Sequence, residues 1–421
     1  MITIVKADGT AEQQQIAAMR ERAAKTGAGI EQSAREIMEA VRKRGYEAVK
    51  EYSLKFDGAE PYEIPKAELQ AAAERIDPKL LGALRRSAEN IRAYQTELLC
   101  KSRQWESPMK GGTVGQVVRG LSRVGIYVPG GRAAYPSSVL MNAVPAKVAG
   151  CGEVIMVTPP TENLNDAVLA AAWVAQVDRV IAVGGVQAVA ALTFGAGFIP
   201  RVDKLVGPGN AFVAAAKRMA YGTLDIDMVA GPSEVLVIAD KTANPVYTAA
   251  DLLSQAEHDV MASAVLLTTS QNLADQVAQE MERQIGYLSR SDVILQSLRD
   301  YGAIIVCDSL EKCCDLANEI APEHLEIMTE DPRALLPKIR NAGAVFLGQN
   351  TPEPLGDYMA GPCHVLPTSG TARFFSPLSV ESFLKKMSII DFSRDALAEV
   401  KDEIIAMAES EHLTAHANSI K

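Results

Sequence analysis

VGIYVPGGRAAYPSSVLMNAVPAKVAGCGEVIMVTPPTENLNDAVLAAAWVAQVDRVIAVGGVQAVAALTFG, residues 124–195, alternates short β-rich runs with longer helical ones. That alternation predicts parallel βαβ units with helices on both faces of a sheet. A second series follows it: EVLVIAD (residues 234–240), a helix through AADLLSQAEHD, AVLLTTS, a long helix from Asn272, AIIVCDS and another helix. LEIMT, a short helix from Arg333 and AVFLG end this series. The fold class is therefore α/β, with two doubly wound, incomplete Rossmann-like units. Upstream, from about Ala11 to Lys101, apolar spacing is helical, as in SAREIMEAVRKRGYEAVKEYS (residues 33–53), so a helical N-terminal segment leads in. Downstream of Gly348 lies a Pro- and Gly-rich stretch too long for an ordinary connection, and such loops are usually functional. A small helical C-terminal segment, with a helix from about Arg394 to Asn418, closes the chain.

At 421 residues the chain holds two or three domains and needs neither disulfides nor metal merely to fold. Apolar residues make up 48% and charged ones 22%, which excludes a disordered chain. A net charge of −10 and a sequence pI near 5.2 argue against a nucleic-acid partner. Six cysteines without a CxxC pair, and a start without the basic and apolar regions of a signal peptide, lead to an expectation of a reducing cytoplasm. Only residues 180–200 form an uncharged run of membrane-spanning length. Their Gly184-Gly185, Gln187, Gly195, Gly197 and Pro200 fit strand, turn and short helix, so no membrane span is expected.

All five histidines, His258, His324, His364, His412 and His416, lie in the last two-fifths of the chain, so any imidazole chemistry is done there. Gln255 and His258, three apart near a helix end, project from one face and could grip an ion or ligand together; the same spacing also describes two solvated side chains. Glu323-His324 sets a carboxylate beside an imidazole just before a strand, where open α/β sheets place ligand crevices and acid/base work is done. A helix-end Glu and a backbone-bound His read the same way in isolation. Asp357 and His364 sit in the long loop, among Gly356, Gly361, Pro352, Pro354 and Pro362, which restrain it. His412 and His416, four apart, could hold a metal from one helix or simply face solvent. Gln, His, Asp and His without thiolates suit zinc or a similar ion. The turns Val128-Pro129-Gly130-Gly131, Gly184-Gly185 and Gly207-Pro208-Gly209-Asn210 follow predicted strands without forming GxGxxG; the last opens a helix whose amides favour an anion. No GxSxG, P-loop, HExxH or basic-aromatic stripe is present, which disfavours serine hydrolases, NTPases and zincins.

Taken in order, VGIYVPGGRAAYPSSVLMNAVPAKVAG (124–150), GGVQAVAALTFG (184–195), KLVGPGNAFVAAAKR (204–218), DMVAGPSEVLVIAD (227–240), LLSQAEHD (252–259), APEHLEI (321–327) and GDYMAGPCHVLPTSGTARFFSPLSV (356–380) resemble the histidinol dehydrogenase family. The resemblance implies a zinc-dependent, NAD-linked four-electron oxidation of L-histidinol to L-histidine through a bound aldehyde. It implies two NAD reduced per turnover and one zinc per subunit. By motif, Gln255, His258 and Asp357 match three zinc ligands. His416 matches the fourth, contributed by the partner subunit of a homodimer with a shared active site. Glu323 and His324 match the catalytic pair, with His324 as general base and Glu323 activating the water that attacks the aldehyde. Ser233, His364 and Glu411 match substrate-contacting positions, joined there by Gln255, His258, His324, Asp357 and His416. Tyr127, Gln187 and Asn210 match NAD-contacting ones. The expected division is an N-terminal arm (1–22), a discontinuous first α/β domain (23–124 plus 235–376), an NAD-binding α/β domain (125–234) and a C-terminal dimerisation segment (377–421). Cys363 stands where the family usually has Asn, and His412 and Thr414 where Gly and Asp are common. These departures keep open a related zinc/NAD dehydrogenase acting on another alcohol, such as a sulfonated diol.

Overall fold

The computed structural model describes residues 2–24, 28–130, 135–160 and 164–420; Gly131, in the first glycine turn, lies outside them. The chain opens with β1 (Thr3–Lys6), α1 (Ala11–Ala24), α2 (Ala28–Arg44), α3 (Tyr46–Asp57), β2 (Tyr62–Ile64), α4 (Lys66–Arg75) and α5 (Pro78–Lys101). A hairpin of β3 (Trp105–Met109) and β4 (Gly112–Gly120) follows, turning at Gly111 with φ 86°. The first βα series is β5 (Arg123–Tyr127), α6 (Pro136–Val148), β6 (Glu153–Thr158), α7 (Asp166–Val174), β7 (Arg179–Ala182), α8 (Gly185–Phe194), β8 (Lys204–Val206), α9 (Ala211–Ala220) and β9 (Asp225–Ile226). The second begins with β10 (Glu234–Ala239), α10 (Pro245–Ala256), β11 (Ser263–Thr268), α11 (Gln271–Ile285), α12 (Ser291–Tyr301), β12 (Ala303–Val306) and α13 (Leu310–Ile320). It continues through β13 (His324–Met328), α14 (Pro332–Leu335), β14 (Ala344–Leu347) and α15 (Glu353–Tyr358). The end is β15 (Leu384–Phe392), α16 (Arg394–Ser410) and α17 (Thr414–Ile420).

Among the described residues two six-stranded sheets result, ordered β2-β7-β6-β5-β8-β9 and β1-β12-β11-β10-β13-β14, with every pairing parallel except β2 against β7. In each, the series starts mid-sheet, grows to one side, then returns to the other, which is doubly wound topology with a switch point beside β5 or β10. EVLVIA (β10) and SAVLLT (β11) are buried at every position because helices cover both sheet faces. Asn165, Asn210, Asn244, Ser270 and Ser309 start helices by accepting backbone N–H bonds, so the returns begin where the sequence supplies cap residues.

The lead-in differs from expectation in its packing. α2 lies on α8 and α9, α4 on α7, and α5 on α6, so residues 28–101 cover the β5-centred sheet, and β2 adds an edge strand to it. The expected grouping joined 23–124 to 235–376. An amphipathic stripe shows that a helix packs, not on which sheet. From the 1–22 arm, β1 joins the other sheet beside β12.

The C-terminal segment is helical only from Arg394. Before it, β15 pairs along the length of β4 in an antiparallel three-stranded sheet with β3. The helix expected over 394–418 breaks after Ser410, where His412 takes the left-handed φ of 60°. A Cβ costs roughly 1–2 kcal/mol there and glycine almost nothing, so this backbone favours glycine over the histidine it carries. With the break, His412 and His416 no longer share an i, i+4 helical face. Residues 180–200 form the end of β7, α8 and the turns around it, and among the described residues no helix is long and apolar enough to cross a membrane.

Candidate active site

β10 and β13 are neighbours with Val235 opposite His324, so the residues just before them, Glu234 and Glu323, meet at the amino edge of the sheet. The Glu234 N–H donates to Glu323 Oε2 at 2.9 Å, and the Glu234 carbonyl lies 2.9 Å from His324 Nδ1. A carbonyl only accepts, so Nδ1 carries a proton in either charge state, and Nε2 is the nitrogen that gains the lone pair when the imidazole is neutral. Nε2 is fully buried and has no hydrogen-bond partner among the described residues. The backbone of one residue thus pins both members of the Glu323-His324 pair and aims Nε2 inward.

That nitrogen points into a cavity of about 230 Å³ lined also by Ser233, Gln255, His258, Asp357 and His364. α10 runs antiparallel to the strands and carries Gln255 and His258 back to the amino edge. α15 begins where the Glu353 N–H donates to Glu326 Oε1 at 3.1 Å, and one turn later presents Asp357. Asp357 Oδ1 lies 3.8 Å from His324 Nε2 and 4.0 Å from His364 Nδ1; Glu353 Oε1 is 3.9 Å from Nε2. Ser138 Oγ is 3.4 Å from His364 Nε2. The cavity opens between the amino edge of the β10 sheet and the loops at the carboxyl edge of the β5 sheet, which supply Gly207, Pro208 and Asp227. The expected carboxyl-end crevice therefore holds for one sheet and is reversed for the other.

Charge in this cavity is unbalanced. Asp227, Glu323, Glu353 and Asp357 line it and no Lys or Arg does among the described residues; Asp227 is paired with Lys217 at 2.5 Å, and the other three share the His324 imidazole as their counter-charge. Burial lifts the Glu323 carboxyl to about 8 and Glu353 to about 7. Burial pushes the His324 imidazole down, but Glu323, Asp357 and Glu353 around it push it up further, to about 10. Burial lowers His258 and His364, favouring the neutral imidazoles that ligate metals. Gln255 Oε1 is buried, 1% exposed as a residue, with no hydrogen-bond partner among the described residues. An orphaned amide oxygen, a neutral imidazole and surplus carboxylate are the donor set and charge deficit that a divalent cation satisfies, so the expected zinc fits here. His324, Glu353 and Asp357 also bring one possible ligand atom each within 4.8 Å of one another.

The three residues expected at NAD line a separate cleft of about 620 Å³ at the carboxyl ends of β5 to β8. Tyr127 Oη accepts the Gly185 N–H at 3.0 Å, and Gln187 Nε2 donates to Asp57 at 3.0 Å. Asn210 Oδ1 is committed to capping α9, accepting from the Phe212 and Val213 amides. At Gly207, φ 105°, an added Cβ would lie 2.2 Å from the Tyr127 carbonyl, so the turn between the two recesses requires glycine.

Two expected residues are elsewhere. Glu411 and His416 are exposed on the C-terminal segment and do not line the cavity within a single chain. Cys363 turns away from the cavity; its thiol donates to the Met141 carbonyl, and burial pushes it up to about 12. Glu353 and Ser138 escaped the sequence reading. The i, i+4 pair Glu353/Asp357 in TPEPLGDY was the available signal for the first; Ser138, inside an apolar helix run, offered none.

A family model described as histidinol dehydrogenase matches residues 20–421. A histidinol dehydrogenase from Clostridium acetobutylicum is 52% identical over 407 residues, 96% of this chain and 94% of that protein. One from Heliobacterium mobile is 53% identical over 392 residues, covering 91% of each. A crystal structure of histidinol dehydrogenase from Elizabethkingia anophelis superposes with a TM-score of 0.93 at 36% identity, over 100% of this chain and 97% of that one. A betaine aldehyde dehydrogenase from Staphylococcus aureus, at 13% identity, TM-score 0.50 and 86% and 88% coverage, shares the fold alone.

Proposed function

The chain belongs to the histidinol dehydrogenase family, and from that membership we propose that it oxidises L-histidinol to L-histidine through a bound aldehyde, using zinc and two NAD, as a cytoplasmic homodimer. The observation that carries this reading is the pinned Glu323-His324 pair facing Gln255, His258 and Asp357 across one cavity.

His324 Nε2 takes the proton of the substrate alcohol, while Nδ1 stays bonded to the Glu234 carbonyl; NAD, held at Tyr127, Gln187 and Asn210, would supply the hydride acceptor. After the first hydride transfer the aldehyde remains in the cavity. Glu323, held by the Glu234 amide and ionised once pH passes its raised value of about 8, takes a proton from water as it adds to the carbonyl carbon. The resulting hydrate stays in the cavity, where a second NAD in the same cleft would accept the second hydride and the product would leave as the carboxylate. Gln255, His258 and Asp357, with His416 of the partner subunit, would hold zinc, whose chemistry when bound is to grip the imidazole and amine of the substrate. Ser233 and His364 line the same space, and Glu411 of the partner subunit would meet the substrate ammonium.

The exposed apolar side chains of the C-terminal segment support the homodimer. Met387, Ile390, Phe392, Leu397, Val400 and Met407 are 45%, 77%, 41%, 41%, 41% and 67% exposed, on the same segment that carries Glu411 and His416. A second subunit covering this face completes the cavity.

Removing and restoring metal tests the zinc component. Metal-free protein is expected to lose histidinol turnover and to recover it with one zinc per subunit. It also binds surplus protons: His324 is raised to about 10 from 6.5, and Glu323 to about 8 from 4.5. Both contributions are present in full below the unfolded values and are lost as pH rises through the folded ones, so the metal-free Tm falls between pH 7 and 10. Zinc displaces those protons and flattens the decline. A metal-free Tm that rises over this interval, or full turnover after chelation, contradicts the assignment.

A further inference from the structure

We propose that Asp57 sets the preference of this chain for NAD over its 2′-phosphorylated counterpart, by accepting hydrogen bonds from the adenosine ribose where a phosphate is repelled. The inference rests on reading the Tyr127–Gln187–Asn210 cleft as the dinucleotide site. Among the described residues lining that cleft, Asp57 is the one carboxylate and Lys55 the one cation. Lys55 is turned over the ring of Phe56, with Nζ 5.3 Å from its centroid. Phe56 and Phe212 are 55% and 42% exposed in the cleft, an unusual state for phenylalanine and suited to stacking flat heterocycles.

Asp57 is the last residue of α3, which ends at Gly58 in the left-handed conformation, φ 72°. Its Oδ2 is held by Gln187 Nε2 at 3.0 Å. Gln187 is itself fixed, 1% exposed, with its Oε1 only 2.7 Å from where a Cβ on Gly185 would stand. The carboxylate is therefore tied in place by Gln187 and by the Gly184 backbone N–H, with oxygen lone pairs left to accept further bonds. A carboxylate only accepts, so it pairs with a ribose diol and repels a phosphate that carries up to two negative charges. Doubly wound dinucleotide sites solve the same problem with an Asp or Glu for NAD and an Arg for NADP, there placed about 20 residues after the glycine turn. Here the acid precedes the sheet in sequence and arrives from the lead-in helices. That route explains why no fingerprint spacing reveals it.

The test is direct binding of NADH and NADPH to the full-length protein, read by nicotinamide fluorescence, for wild type, Asp57→Ser and Asp57→Asn. Wild type is expected to bind NADH roughly 100-fold tighter than NADPH, and both variants to shrink that ratio at least tenfold, chiefly by gaining NADPH affinity. Asp57→Asn keeps the size of the side chain and a bond to Gln187, so it separates charge from local collapse. An unchanged ratio, with both dinucleotides weakened alike, overturns the inference and leaves Asp57 a support for Gln187. Wild type that binds neither dinucleotide overturns the reading of the cleft itself, and the inference falls with it.

Discussion

Glu323→Gln is expected to slow conversion of the aldehyde to the acid by about 10²–10⁴-fold while changing the alcohol–aldehyde interconversion by less than about tenfold. Only the former needs a proton taken from water. The substitution is conservative for structure, because an amide oxygen can still accept the Glu234 N–H that Glu323 Oε2 now accepts at 2.9 Å. What is lost is the ability to receive a proton. A second signature separates this role from a packing defect: Glu323 is the first of the carboxylates that hold the His324 imidazole up, with Oε2 3.7 Å from Nδ1. Neutralising it lets His324 titrate lower, so the alkaline-requiring limb of the alcohol step moves to lower pH. Supplying the aldehyde and the alcohol separately to the variant measures both steps, and an equal loss in the two contradicts the assignment.

Mixing two inactive proteins, His416→Ala and His324→Ala, is expected to restore about a quarter of wild-type activity. If each site takes His324 from one subunit and His416 from the other, a heterodimer contains one intact site and one doubly defective site. Random exchange makes half the dimers heterodimers, and half their sites work, which yields about one quarter. The expectation follows from the location of His416, exposed on a C-terminal segment outside the cavity of its own chain, while Gln255, His258 and Asp357, the other three proposed ligands, line that cavity. Activity that stays at zero after subunit exchange is verified by mass contradicts a shared site.

Much of the architecture was written in local pattern. The runs EVIMV, RVIAV, EVLVIA and SAVLLT read as strands because burial on both faces admits few polar residues, and their alternation with helices fixed parallel pairing. Long-range choices were not legible. Nothing in Tyr62–Ile64 announces an edge strand beside Val180–Ala182, and the apolar stripe of α2 does not name α8 and α9 as its partners. The same limit governs the site. Gln255/His258 and Glu323-His324 stood out by spacing, yet their convergence depends on β10 lying next to β13 and on α10 returning to the amino edge, which are facts of topology. Glu353 went unread because its importance comes from a distance of 3.9 Å to an imidazole 29 positions away in the chain. His412 shows the opposite error: i, i+4 spacing with His416 suggested a metal pair, and a left-handed residue breaks the helix between them.

Cys363, His412 and Thr414 motivated an alternative substrate, and the placement of Cys363, which faces the Met141 carbonyl, weakens its part in that motive. His412 and Thr414 are exposed on the C-terminal segment beside Glu411 and His416. What the cavity presents to a substrate is the Glu323-His324 pair with the imidazole and carboxylate groups around it.

Counting NADH against product tests the central claim most directly. Zinc-loaded protein, given histidinol and in parallel a sulfonated diol, is expected to turn over histidinol and to form two NADH for each histidine, with no aldehyde released. One NADH per histidinol with free aldehyde, or rapid oxidation of the diol beside little turnover of histidinol, would contradict it.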